Sequence, residues 1–304
     1  MNRSPIKPVA LRPGDTIGVV APAAAIDAEF LERGVNALAA RGFRVKVSAH
    51  ALSRNGILAG SDRERAGEVA AFFADPQVKA IFAARGGYGS GRLLPLLDFA
   101  AIARTPKIFV GFSDLSFLLN PMVNRSRLIC FHGPMAGPAY ALSRRSFDHL
   151  VGLLGGELES FALDAREVVR SGSAEGEVIG GCLSVVVAML GTPWAPDFAG
   201  KILFLEETGE KAYRIDRMLV QLRQSGALGE VAGIVFGGLP AADGDQERRL
   251  IGGFIAEQTA GLDCPVLCGI EAGHTTENLA IPFGLRAQLD SRAMKLSFAE
   301  SPVI

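Results

Sequence analysis

Between Thr16 and Met135 the chain repeats one pattern: a short apolar run, a glycine or helix-capping residue, then an amphipathic stretch. That alternation is the signature of βα units. TIGVVAPA reads as the first strand, and Asp27 is placed to cap the helix AEFLERGVNALAAR. Within that helix Phe30, Leu31, Val35, Leu38 and Ala39 recur at helical spacing, and Gly42 ends it. FRVKVS is the second strand, Ser61 or Asp62 caps the helix RERAGEVAAFFA, and VKAIFAAR is the third strand. A GGYGSG loop then opens a helix through RLLPLLD, and KIFVGFS and LICFH complete the series. Strands this apolar along their whole length are covered on both faces, as in a parallel sheet between layers of helices. The expected architecture is a doubly wound, flavodoxin-like parallel sheet over residues 1–154.

Between Gly155 and Gly176 the periodicity fades while Gly, Ser and charge accumulate, so residues 155–176 read as a linker. Beyond it, over 177–304, apolar helices (CLSVVVAML, YRIDRMLVQLRQSG) alternate with strands (KILFLEE, GIVFGG, CPVLCGI, NLAIPF, LRAQLD). This is a second, mixed α/β domain whose topology periodicity does not settle. At 304 residues and 49% hydrophobic composition, two cores of ordinary size are available.

Bulk properties narrow the function. The 31 Lys and Arg against 32 Asp and Glu are scattered, leaving no basic footprint for a nucleic acid partner. The opening MNRSPIKPVALRPGD has no apolar core of a signal peptide, and no stretch is apolar for long enough to span a bilayer. The expectation is a cytoplasmic protein with no membrane partner. Cys130, Cys182, Cys264 and Cys268 lie in apolar surroundings without a CxxC pair and read as buried thiols, with no metal or cofactor implied.

The most informative local feature is KIFVGFSDLSFLL, an apolar strand ending in Gly111-Phe112-Ser113-Asp114 ahead of a helix. A sharp strand-to-helix turn exposes a serine hydroxyl and sets the next amide, that of Asp114, at a helix N-terminus suited to a developing oxyanion. Ser113 and Asp114 are equally good helix caps, and the segment lacks the second glycine of G-x-S-x-G. A serine nucleophile needs a base, and there are four histidines: His50, His132, His149 and His274. His50 falls in a loop and His149 in a helix, whereas His132 and His274 both follow apolar strands, where open α/β sheets gather their sites. Spacing does not separate those two. Glu206 and Glu207 end the strand KILFLEE and face opposite sides, so at most one can orient an imidazole. The glycine-rich Arg85 to Arg92 segment lets a ligand approach the backbone, but its spacing is neither G-x-G-x-x-G nor a Walker motif.

In their order, ARGGYGSGRLLPLLD, KIFVGFSDLS, FHGPM, ILFLEETGEKAYRIDRML and GIEAGHTTENLAIPFG resemble the landmarks of the LD-carboxypeptidase family across nearly the whole chain. That family includes murein tetrapeptide carboxypeptidases and microcin C immunity peptidases. The resemblance implies a serine peptidase without metal or organic cofactor. Its nucleophile would be Ser113 in the N-terminal domain, with Glu206 and His274 contributed by the C-terminal domain. It further implies an oxyanion hole from the amides of Gly86 and Asp114, with Arg85, Tyr88 and His132 as binding neighbours. The implied substrate is a small peptide, the cytosolic murein tetrapeptide, which loses its terminal D-alanine in peptidoglycan recycling. Alternatives are cleavage of a toxic peptidyl-nucleotide, favoured by an aromatic-lined pocket to which Trp194 would contribute the only tryptophan, or a non-catalytic nucleotide- or peptide-binding module. A homodimer is implied by the resemblance alone. Pro121, in the helix after the serine, departs from a regular helix and is expected to kink it or end it early.

Overall fold

The computed structural model describes residues 4–137, 143–240 and 244–304. Two sheets carry the fold. The first contains β1 (Thr16–Val20), β2 (Arg44–Val47), β3 (Val78–Ala83), β4 (Ile108–Gly111) and β5 (Cys130–His132), parallel in the order β2-β1-β3-β4-β5. That is the flavodoxin-like order, reached through the helices α1 (Ala28–Ala39), α2 (Asp62–Ala74), α3 (Phe99–Arg104) and α4 (Ser116–Ser126). β3, β4 and β5 are buried at all but one of their residues, as the unbroken apolar runs require. Ser61 forms a capping box with Glu64 at the start of α2. Asp27 stands at the cap position of α1 but makes no side-chain cap bond; its carboxylate pairs with Arg54 instead.

Three expectations need correction. Residues 155–176 are not a linker: after α5 (Arg144–Gly155) they hold β6 (Phe161–Asp164), β7 (Glu167–Arg170) and the start of β8 (Ser173–Cys182). β6 and β7 are the two outer strands of the second sheet and are partly solvated, so their sequences carry charge and little alternation. Nor do all strands of 177–304 stay with the second sheet. NLAIPF supplies β12 (Ile281–Phe283), which leaves the second sheet and pairs antiparallel with β5, opposing Ile281 to His132 and Phe283 to Cys130. Pro282 is tolerated there because β12 is an edge strand. Pro121, finally, does not shorten α4, which continues to Ser126. Leu118, Leu119, Met122 and Val123 are buried on either side of it, and their packing offsets one lost backbone bond.

The second sheet has eight strands in the order β6-β14-β13-β8-β9-β10-β11-β7. Its centre is the parallel set β8, β9 (Ile202–Glu206), β10 (Gly233–Phe236) and β11 (Val266–Cys268), flanked by antiparallel β13 (Arg286–Asp290) and β14 (Lys295–Phe298). The helices α6 (Leu183–Met189), α7 (Ala212–Gln224), α8 (Ala227–Glu230) and α9 (Asp245–Gln258) connect it. The two sheets share one continuous core. Asn120 of α4 locks them together, donating to the carbonyl of Gly180 in β8 at 2.8 Å and accepting from the Gly180 amide at 3.0 Å. Arg127, after α4, forms a two-pronged pair with Glu177 of β8, which also receives Lys201. Among the described residues, no helix is long and apolar enough to cross a membrane.

Candidate active site

β4 delivers Phe112 into the core and then turns so sharply that Ser113 sits at φ 64°, a left-handed conformation that serine rarely adopts. A short 3-10 turn, Ser113–Leu115, leads into α4. The helix-cap reading of this segment does not hold. Ser113 makes no cap bond, and the carboxylate of Asp114 reaches away from α4 to the glycine-rich loop, accepting the amides of Gly89 at 3.2 Å and Ser90 at 2.8 Å. The Ser90 hydroxyl returns a bond to the Asp114 carbonyl at 2.7 Å. Buried Asp114 therefore ties the loop to the turn, a role that its candidacy for the amide alone did not reveal.

This tie brings Gly86 against the serine. A Cβ on Gly86 would lie 3.0 Å from Ser113 Cβ, 3.2 Å from its Oγ and 3.3 Å from the Asp114 amide nitrogen, so a glycine is needed for the approach itself. Among the described residues neither the Gly86 nor the Asp114 amide has an acceptor, which leaves two N–H donors beside one hydroxyl.

β9 ends in Glu206, Glu207 follows it, and the extended backbone sends the two to opposite sides. Glu207 accepts the amide of Ser184 at 2.8 Å, at the start of α6, together with the Cys182 thiol. It anchors a helix. Glu206, fully buried, accepts Nδ1 of His274 at 2.6 Å and the His274 amide at 3.1 Å on Oε2. Gly273 makes this possible: at φ 92° it turns the loop after β11 so tightly that a Cβ there would stand 2.5 Å from Glu206 Oε2. The loop is pinned from the other side, where Asn278 accepts the Gly273 amide at 2.8 Å and donates its own to Ser146 of α5 at the same distance. Glu277 accepts the hydroxyls of Ser143 and Ser146. No sequence signal marked Ser146, Glu277 or Asn278 beyond their place in the GHTTEN run.

The electrostatics suit a base. Burial opposes the Glu206 charge, but the two imidazoles of His132 and His274 more than compensate and hold its pKa down to about 2. Burial likewise opposes protonation of His274, yet the hydrogen bond and charge of Glu206, with Glu207 behind it, raise its pKa above the ordinary 6.5. Nδ1 is committed to Glu206, and among the described residues Nε2 has no hydrogen-bond partner, which leaves it for a proton in transit.

Ser113, Gly86, Arg85 and His274 line one cavity of about 1070 Å³ that extends past Phe236 and Thr275 to Arg166, Glu167 and Arg248. Among the described residues no hydrogen bond joins Ser113 to His274; the Phe112 and His274 rings pack at 4.9 Å between centroids. Arg85 is half-buried beside Gly86, with one guanidinium nitrogen on the Ala25 carbonyl at 3.2 Å. Two expected binding residues lie elsewhere. Tyr88 is 52% exposed and outside the cavity, because the loop turns outward at Gly87 before Asp114 draws it back. His132 is wholly buried, since β12 covers it, and cannot touch a substrate. Trp194 packs on Phe99 and Arg125, away from the cavity, where Phe236 is the sole aromatic among the described residues. His50 and His149 have structural partners, Glu68 and the Ala280 carbonyl.

Two family models match the chain, the LD-carboxypeptidase N-terminal domain over residues 17–133 and the LD-carboxypeptidase C-terminal domain over 175–289. A murein tetrapeptide carboxypeptidase of Pseudomonas aeruginosa is 31% identical, covering 92% of this chain and 94% of that protein. The solved muramoyltetrapeptide carboxypeptidase of Oxalobacter formigenes superposes with a TM-score of 0.84 at 31% identity, over 93% of this chain and 97% of the other. The microcin C7 self-immunity protein of Escherichia coli is 28% identical, covering 97% of this chain and 96% of that protein. A solved microcin C7 self-immunity protein superposes with a TM-score of 0.88 at 25% identity, over 99% of this chain and 100% of the other.

Proposed function

We propose that this chain, which belongs to the LD-carboxypeptidase family, is a serine carboxypeptidase that removes the terminal D-alanine from a cytosolic murein tetrapeptide during peptidoglycan recycling. The observation that carries the reading is the strained Ser113 facing two partnerless amides in the cavity that also holds His274, itself bonded to buried Glu206. His274 Nε2 takes the Ser113 proton as Oγ attacks the carbonyl of the penultimate residue, and Glu206 holds the ring and offsets the imidazolium. The Gly86 and Asp114 amides receive the oxyanion. Collapse breaks the peptide bond, His274 returns the proton to the departing amine, and water attacks the acyl-enzyme by the reverse sequence. Ser113 and His274 must close to hydrogen-bond distance when substrate fills the cavity. Arg85, beside the oxyanion donors, receives the free carboxylate of the leaving residue.

The relatives named as murein and muramoyltetrapeptide carboxypeptidases support the peptide substrate. A stacked nucleobase would rely on Phe236 among the described residues, since Trp194 and Tyr88 both lie outside the cavity. A cytoplasmic location and a homodimer belong to this reading as proposals. The test is mass spectrometry of purified protein with the tetrapeptide. Release of D-alanine, lost in Ser113→Ala, is expected; binding without product would make the chain a binding module, and full turnover by Ser113→Ala would rule out the mechanism.

A further inference from the structure

Glu206 is approached from two sides, and only one of them is at hydrogen-bond distance. Oε2 receives His274. Among the described residues Oε1 is buried without a hydrogen-bond partner, and 3.6 Å away lies Nε2 of His132, from the last residue of β5, also buried without one. An unpaired buried donor and an unpaired buried acceptor each carry a desolvation penalty, and a small approach of these two removes both. Among the described residues neither ring nitrogen has a hydrogen-bond partner. Phe112 and Phe204 meet it edge-on at 5.8 and 5.1 Å between centroids, and Phe283 of β12 stacks on it at 5.4 Å. Pairing with Gly111 on one side and Ile281 on the other fixes its backbone. In this apolar cage a proton on Nδ1 would leave a buried N–H without an acceptor. The neutral ring with its proton on Nε2 leaves only one weak acceptor, Nδ1, unpaired.

We infer that His132 is a positioning residue, whose Nε2–H donates to Glu206 Oε1 and so holds the carboxylate with Oε2 turned to His274. The inference rests on the proposed reading that His274 and Glu206 serve Ser113. Sharing the Glu206 charge between two donors tempers its pull on the His274 proton. The loss of one donor concentrates that charge on Oε2 and makes His274 harder to deprotonate. The other titratable or charged groups around the pair are Glu207 just after β9, Cys182 at the end of β8, Asp114 in the serine turn, Arg85 in the glycine loop and Glu277 after His274. Glu207 is committed to α6, Asp114 to the glycine loop and Glu277 to α5, while burial and the two glutamates keep Cys182 protonated.

The experiment compares wild type with His132→Phe, which suits an aromatic cage but has no donor, and His132→Gln, which keeps one. Histidine-labelled protein without substrate is titrated by NMR, and kcat and KM are measured on the tetrapeptide. The wild-type spectrum should show His132 neutral with its proton on Nε2. His132→Phe should shift the His274 titration upward by severalfold in proton affinity and lower kcat by about 10–100-fold with little change in KM. His132→Gln should recover most of both. An unmoved His274 titration in His132→Phe, or a His132 that carries its proton on Nδ1 or titrates as a free imidazole, overturns the inference. If His132→Phe fails to fold, the wild-type tautomer and His132→Gln decide. The NMR readout needs no turnover, so a wild type that leaves the tetrapeptide intact defeats the proposed function separately.

Discussion

The strand-to-helix turn at Ser113 was legible because an apolar strand ends two residues earlier and a helical turn begins at the serine itself. His274 and His132 were not separable by the same reasoning, since each follows a strand. What separates them is a register that no spacing encodes. β12 closes over His132, while Gly273 bends His274 back onto Glu206. This geometry sets the pH response. The pKa of His274 is raised, and its basic form, the one that accepts the Ser113 proton in the proposed mechanism, is populated only above that raised pKa. The acid limb of kcat/KM should therefore lie above the 6.5 of a free imidazole. Glu206→Gln removes the charge responsible, so the limb should move down while kcat falls by about 10⁴-fold. A pH–rate profile of the two proteins checks both signs. Gly86→Ala is a second residue-scale prediction. Its Cβ presses on Ser113 without disturbing the core, so kcat should fall about 100-fold while Tm stays nearly constant, measured by steady-state kinetics and thermal unfolding.

At the scale of elements, the strands of the first sheet were readable because they are apolar on both faces and flanked by caps and glycines. β6 and β7 were missed for the converse reason: as edge strands they are half in water, and FALD and EVVR offer too short and too polar a pattern to distinguish from a linker. Pro121 misled in the other direction, because propensity ignores how much of α4 is buried. The same helix carries Asn120, whose amide would pass for an ordinary helical polar group, yet it is fully buried and pairs with both backbone groups of Gly180. Asn120→Ala leaves that N–H and C=O without partners, and the loss should cost about 2–4 kcal/mol. Urea titration of the variant should show a lower midpoint at an unchanged slope. A midpoint equal to wild type would mean that α4 and β8 are held by packing alone.

For the whole molecule, the sequence suggested two bodies joined by a linker, and that division misplaces the connections. β12, from the last thirty residues, completes the edge of the first sheet; Asn120 and the Arg127–Glu177 pair bind α4 and its C-terminal end to β8; and Asn278 and Glu277 fasten the His274 loop to α5. None of these links has a local signature, because each depends on which distant segment arrives opposite. Their functional consequence is that the serine turn on one sheet and the glutamate and histidine on the other are held by buried contacts rather than by a hinge. Trp194 offers a probe of that unity. It follows α6 in the second half of the chain, yet its ring packs on Phe99 at 5.7 Å and on the Arg125 guanidinium at 4.2 Å, both from the first half. If the two halves unfold as one unit, Trp194 fluorescence and far-ultraviolet circular dichroism should trace the same urea transition, with one midpoint and one slope. A fluorescence change that completes while half the helical signal persists would show that the sheets separate first. The buried links between them would then add little to stability.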